Sequence, residues 1–310
     1  MCYSSRPGKS YDTINRETLE RVTDGIDCHI EMIDSDVKAA EALSYFGVEA
    51  VVGQDIHWHF PFLVNNFPTF SIGMFFDTLH YAASHKGGKH RIPTVTYLAD
   101  DFFSDRFRGL MDRPWTTRVV GSPTFDHSLF VDRSAYVEGS VLFLTPPQSS
   151  LSSEMIGQVN ELIDFCYKWN KPFIIKDRPK TPWTASDCSK VIPVNYESGF
   201  PYTSLTLLMN TSVHVTAYGT SVLESNFLGL PAINLPAGPG GGGRNHDIPG
   251  YDSDSIYDNG LCVLTSGHLV DDYHAAIIRP KRAALRQLTM ADNHSIDILK
   301  DVLNTLDSAG

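Results

Sequence analysis

The sequence predicts a two-domain α/β protein, each domain built on a largely parallel sheet covered by helices, with the two sheets facing a central cleft. Three observations predict it. Apolar runs of strand length alternate with helical patterns along most of the chain, the rhythm of βαβ units. The 310 residues are 42% hydrophobic and 20% charged, a globular composition with enough apolar material for two cores. The rhythm also restarts near residue 140, after "VVGSPTFDHSLFVDRSAYVEGS" (119–140), which reads as a join. The expected organisation is a first domain over 1–121, a second over 122–279, and closing helices over 280–310.

The elements follow in order. Residues 1–25 are polar, show no periodicity and read as a loosely packed lead-in. "CHIEMI" (28–33) reads as a strand, and "SDVKAAEALSYFG" (35–47) as a helix with a polar N-cap and a terminal Gly. "VEAVVG" (48–53), "TFSIGMFF" (69–76), "IPTVTYL" (92–98) and "TRVVGS" (117–122) continue the strand series. The second series opens with the strand "SVLFLTPP" (140–147) and the capped helix "SSEMIGQVNELIDFCYKWN" (152–170). "KPFIIKDRPK" (171–180) is a strand entering a basic loop, "KVIPVN" (190–195) a strand, and "YTSLTLLMNTS" (202–212) a short helix. "VHVTAY" (213–218) then leads through Gly-Thr-Ser into a helix and a further apolar strand ending "INLP" (233–236). The last stretch, 279–306, carries one or two helices.

Several functions are excluded by composition. A formal charge of −11 leaves no basic stripe for nucleic acid or an anionic membrane. The five cysteines (Cys2, Cys28, Cys166, Cys188, Cys262) show no paired spacing and no zinc pattern, so they read as reduced thiols. Nothing resembles a signal peptide or a membrane span, so a cytoplasmic protein is expected. "GPGGGG" (238–243) matches a dinucleotide fingerprint by letter, yet no helical pattern follows it, and "RPGKS" (6–10) lacks the first glycine of a phosphate loop.

The informative stretch is "VHVTAYGTSVLESNFLGLPAINLP" (213–236). In a parallel sheet, ligands gather at the carboxyl ends of strands, where helix N-termini offer free N–H groups. Tyr218, Gly219, Thr220 and Ser221 fall at that junction: Gly219 permits close approach, and Thr220 and Ser221 add hydroxyl donors beside a helix N-terminus that favours phosphate. Glu224 follows one turn later, within reach of a pair of vicinal hydroxyls such as a ribose offers. A second reading stays open, in which Glu224 only complements the helix dipole from the first turn. On the ribose reading Glu224→Gln barely changes stability but weakens nucleotide binding, whereas the dipole reading forecasts a lower melting temperature with unaltered nucleotide affinity. Lys176 and Arg178, in "KDRPK" (176–180), are placed to neutralise phosphate, or else form a solvated surface pair.

"VIPVNYESGFPYTSLTLLMNTSVHVTAYGTSVLESNFLGLPAINLP" (191–236) resembles the donor half of GT-B-fold glycosyltransferases and of the related UDP-N-acetylglucosamine 2-epimerases. "VEAVVGQD" (48–55) and "RVVGSPTFD" (118–126) continue the resemblance into the first half. The resemblance implies a GT-B-like fold of two Rossmann-like domains, with Glu224 on ribose hydroxyls and Gly219, Thr220 and Ser221 facing a diphosphate. The chain departs from the epimerases at Ser225, where they carry a second glutamate, and lacks their Glu-Ala-Gly-Leu-Arg pattern in "SIGMFFDTLHY" (71–81), which favours transfer. The triplets "DSD" at 34–36 and 252–254 resemble the metal motif of another glycosyltransferase class, but suit an N-cap and a polar loop.

A transferase needs a base on the acceptor side while the donor side stabilises the leaving diphosphate. Candidates at strand ends are Asp77, then His80, then Asp55, with His57, His59, Asp100 and Asp101 nearby. The expectation is a glycosyltransferase moving a sugar from a nucleotide-diphosphate sugar, UDP favoured, to a hydroxyl of a glycan or other acceptor, with no metal or other cofactor. The alternatives are a non-hydrolysing sugar-nucleotide 2-epimerase and a non-catalytic nucleotide-sugar-binding module.

Overall fold

The structure, a computed structural model, describes residues 2–3, 31–32, 50–54, 61–73, 92–98, 101–110, 114–123, 126, 134–146, 151–177, 183, 185–194, 203–217, 220–235, 262–264, 266–278 and 294–308. They fall into two compact units, Met1–His127 with Thr289–Gly310, and Ser128–Leu288.

The first unit carries strands β1 (Cys2–Tyr3), β2 (Glu31–Met32), β3 (Val51–Gln54), β4 (Thr69–Ile72), β5 (Val95–Leu98) and β6 (Thr117–Val119). Helices α1 (Pro61–Asn66) and α2 (Asp101–Leu110) lie between them. β3 to β6 form one parallel sheet in sequence order, and β1 pairs in parallel with β2. The polar lead-in therefore contributes a strand at its start. Phe70 and Ile72 alternate onto one face of β4, Val95 and Tyr97 onto the same face of β5, and Ile298 and Val302 cover them.

Those last two residues stand one turn apart on the C-terminal helix (His294–Asp307), which thus completes the first unit rather than closing the chain as a separate piece. Its N-terminus is held by Asp126, fully buried at 0% exposure. The Asp126 carboxylate accepts from the backbone N–H groups of His294 (3.0 Å) and Ser295 (2.9 Å), from the Ser295 hydroxyl (2.7 Å), and from His294 Nδ1 (2.8 Å). Four donors satisfy a carboxylate that burial alone would make costly. The imidazole lies so close to Gly121 that a Cβ there would sit 2.1 Å from His294 Cδ2, and Gly121 adopts φ +90°, so glycine is required twice over. Further along the helix, the Tyr97 hydroxyl donates to Asp301 at 2.8 Å and Arg118 pairs with the same carboxylate.

The second unit holds β7 (Val141–Leu144), β8 (Phe173–Lys176), β9 (Ile192–Pro193), β10 (Val213–Ala217), β11 (Ala232–Leu235) and β12 (Cys262–Leu264). Its helices are α3 (Ser153–Lys168), α4 (Thr203–Met209), α5 (Thr220–Phe227) and α6 (Leu269–Ile277), and the C-terminal helix of the first unit is α7. The sheet is parallel throughout, in the order β12-β11-β10-β7-β8-β9. Counted within the unit this is 6-5-4-1-2-3, the order of the dinucleotide-binding α/β fold, and the direction of winding reverses between β7 and β10.

α3 begins where Ser152 accepts the Met155 N–H at 3.1 Å. It buries Met155, Val159, Leu162, Ile163 and Cys166, a stripe at helical spacing. Opposite it are Val141, Phe143, Val213, Val215, Ile233 and Leu235, and α6 adds Leu269, Tyr273 and Ala276. Each fully buried aliphatic or aromatic side chain here contributes roughly 1.5 to 3 kcal/mol.

Candidate functional site at the carboxyl edge of the six-stranded sheet

Because side chains alternate along a strand, the residues between those core positions point to the opposite face. The register places them in rows: Leu142, His214 and Ala232 in one, then Lys176 beside Leu144, and Thr216 beside Asn234. Thr216 Oγ1 donates to the Leu144 carbonyl at 3.0 Å, tying β7 to β10 at the point where the winding reverses. A crevice beyond the carboxyl ends of strands at such a reversal is where α/β sheets bind ligands.

α5 belongs to this face and runs back from the same edge. Its end is set by Gly229 at φ +70°, with Leu228 N–H bonded to the Glu224 carbonyl (3.0 Å) and Leu230 N–H to the Ser225 carbonyl (2.8 Å), a glycine-terminated helix cap before Pro231. Glu224 is the fifth residue from Thr220, and the first turn of α5 contains no acidic residue. The reading of Glu224 as a first-turn dipole partner is thereby set aside, because the dipole effect fades beyond that turn.

Glu224 is half-buried, and desolvation pushes its pKa up to about 7, with the Lys176 ammonium opposing the rise. The two groups, 48 positions apart in sequence, thus share one electrostatic site across β8, β7 and β10. Among the described residues no hydrogen bond reaches the Glu224 carboxylate. A desolvated carboxylate with spare acceptor capacity suits donation from hydroxyls, and an ammonium at the neighbouring strand end suits an anion.

Beneath Glu224 lies a pair of residues whose role the sequence does not announce. His214 and Ser225 are exposed by 1% and 0%, and His214 Nδ1 stands 2.6 Å from Ser225 Oγ. The Ser225 hydroxyl donates to the Ser221 carbonyl at 3.0 Å. Burial pushes the His214 pKa down to about 3, so the ring is neutral. The available signal was a histidine alternating with Thr216 on an otherwise apolar strand.

Of the residues expected at the site, Lys176, Ser221 and Glu224 come to this edge, and Thr220 opens α5, its side chain being outside those described. Arg178, Tyr218, Gly219, Asp55, Asp77 and His80 lie outside the described residues, as do both DSD triplets and the 238–243 glycines. Among the described residues no three His, Cys, Asp or Glu side chains converge to hold a metal ion, and no helix is long and apolar enough to cross a membrane.

No protein-family model matches the chain, and no curated protein sequence does. Solved structures do match its architecture. A UDP-GlcNAc 2-epimerase from Methanocaldococcus jannaschii, in complex with UDP-GlcNAc and UDP, is 11% identical, with 96% of this chain and 98% of that one covered at a TM-score of 0.64. The wall teichoic acid polymerase TagF is 12% identical over 98% of this chain and 89% of that one, at a TM-score of 0.58. The glycotransferase of kitacinnamycin is 10% identical over 97% and 98%, at a TM-score of 0.55. The chain therefore has a GT-B glycosyltransferase-like fold, two parallel-sheet α/β units of Rossmann-like kind, related to that of the UDP-GlcNAc 2-epimerases.

Proposed function

We propose that this protein is a glycosyltransferase that takes a sugar from a nucleotide-diphosphate sugar, UDP first among the candidates, and delivers it to a hydroxyl acceptor. The carrying observation is the convergence of Glu224 and Lys176 at the carboxyl edge beside the β7/β10 reversal. Glu224 accepts hydrogen bonds from both ribose hydroxyls. Lys176, with Arg178 two residues on, meets the diphosphate, whose remaining charge falls to the N–H groups of Thr220 and Ser221. Phosphate charge met in this way needs no metal, and activity is expected to survive chelation.

In the reaction the acceptor oxygen attacks the anomeric carbon, the bond from that carbon to the diphosphate oxygen breaks, and the electron pair leaves on the diphosphate. The acceptor proton passes to a base, for which Asp77 is the first candidate, His80 the second and Asp55 the third. Neighbours of this fold are enzymes of both kinds, so epimerisation is the second reading, favoured by the likeness to the Methanocaldococcus jannaschii epimerase. Ser225 weighs toward transfer: its hydroxyl is engaged by His214 and Ser221, deep beneath the edge, rather than turned to a ligand.

One experiment separates these readings. The protein is incubated with UDP-, CDP-, GDP- and dTDP-sugars, with and without a hydroxyl acceptor pool, and nucleoside diphosphate and sugar identity are measured; the CDP arm answers the TagF structure soaked with CDPG. Diphosphate released only with acceptor, in EDTA as in its absence, is the expected result. A changed sugar without release establishes the epimerase. Binding without turnover identifies a nucleotide-sugar module, and no binding of any nucleotide overturns the reading.

A further inference from the structure

We propose that His214 and Ser225 form a positioning pair: Ser225, fixed by His214, ties down the Ser221 carbonyl and so sets the first turn of α5, whose N–H groups and hydroxyls receive the diphosphate. This rests on the transferase reading of the edge and names two residues beneath it that touch no substrate.

Proton counting gives the direction of the network. A serine hydroxyl has one proton, and in Ser225 it goes to the Ser221 carbonyl at 3.0 Å. The 2.6 Å contact to His214 Nδ1 then needs the ring nitrogen as donor, so the single proton of the neutral imidazole sits on Nδ1 and Nε2 is bare. Nε2 is buried with no partner among the described residues, a standing cost to the fold. On the same row, Leu142 and Ala232 fill their places with no such cost. The chain keeps a histidine between them because a hydrocarbon there would leave Ser225 unheld.

What Ser225 does is local to the turn. A hydroxyl bonding back to the carbonyl four residues earlier competes with the helix ladder and tilts that carbonyl. Here the carbonyl belongs to Ser221, in the first turn, and the donor is polarised by a second hydrogen bond from β10, which strengthens both. The first turn of α5 is thereby referenced to the strand that ends at the proposed diphosphate seat, instead of fraying as helix ends do.

The test compares UDP and UMP affinities, by titration calorimetry, in the parent, Ser225→Ala, His214→Gln and His214→Asn. Asparagine places a side-chain amide near the position of Nδ1, whereas glutamine places it near Nε2. UDP affinity should fall about tenfold in Ser225→Ala and His214→Gln, UMP affinity should hold, and His214→Asn should recover most of the UDP affinity. Equal losses for UDP and UMP, no loss at all, or an asparagine variant as weak as the glutamine variant would overturn the positioning role while leaving the transferase reading intact. A parent that binds neither nucleotide overturns both. Should Ser225→Ala fail to fold, the asparagine and glutamine pair decides the matter alone.

Discussion

The two faces of the six-stranded sheet are made by the same strands and carry opposite work. On the α3 and α6 face, Val141, Phe143, Val213, Val215, Ile233 and Leu235 present only hydrocarbon. One residue away along each strand, Lys176, His214, Thr216 and Asn234 put charge, imidazole, hydroxyl and amide on the other face. The strand residues of the hydrocarbon face carry no polar side-chain atom, and the Tyr273 hydroxyl packed over them is satisfied by the Gly139 carbonyl at 2.9 Å; the other face places its polar side chains on the strands themselves, where Thr216 and His214 make hydrogen bonds to β7 and α5. Stability and ligand binding are therefore separable by alternation, and substitutions on the two faces should fail differently.

The largest effect is expected on the hydrocarbon face. Leu162→Ala removes a fully buried side chain of α3 and should cost about 2 to 5 kcal/mol in urea denaturation. The molecules that remain folded should bind UDP as the parent does. A loss of UDP affinity among them would break the separation of the faces.

Glu224→Gln should do the reverse, weakening UDP at least about tenfold as charged hydrogen bonds to ribose are lost. Its effect on stability differs from the sequence-based expectation of almost none. A carboxyl whose pKa rises from the ordinary range to about 7 on folding stabilises the protein most below its unfolded pKa, and that contribution is lost as pH rises through about 7. Glutamine never ionises. Melting temperatures of variant and parent should converge below about pH 4.5, and the variant should melt higher above pH 7. Ribose hydroxyls favour the ionised carboxylate, so parent affinity for UDP should rise through the same interval, and the variant should show no such rise.

The smallest effect sharpens the electrostatics of the edge. Lys176→Ala should lower UDP affinity about tenfold, with a smaller loss for UMP. Because Lys176 opposes the rise in the Glu224 pKa, its removal should also move the midpoint of the pH-dependent binding to higher pH. An unmoved midpoint in the titration would separate the two residues after all.

Much of this was legible beforehand because it is periodic. The α3 stripe, the Ser152 cap and the strands at 141–144, 213–217 and 232–235 follow from spacing and cap chemistry, which act over a few residues. Glu224 was legible as an acid one turn beyond the Gly-Thr-Ser junction, but its distance from the helix start, and so the failure of the dipole reading, needed the structure. Its coupling to Lys176 depends on strand order, which no local pattern encodes. The Asp126 clamp was illegible for a related reason: although Asp126 closes the "RVVGSPTFD" stretch that carries the resemblance, its partners His294 and Ser295 are 168 and 169 residues away, and no local pattern links them.

That clamp also imposes an order in time. A ribosome adding about 5 to 20 residues per second needs roughly 10 to 30 s to travel from Asp126 to His294. Throughout that interval the sheet face bearing Phe70, Ile72, Val95 and Tyr97 has been made and its cover, Ile298 and Val302, has not. The second unit meanwhile receives the strand at 262–264 and the helix at 269–277, the last of its elements among the described residues. The half of the protein that emerges first is thus finished last, and a nascent chain stalled before residue 294 presents an uncapped aromatic surface to whatever chaperone waits at the tunnel exit.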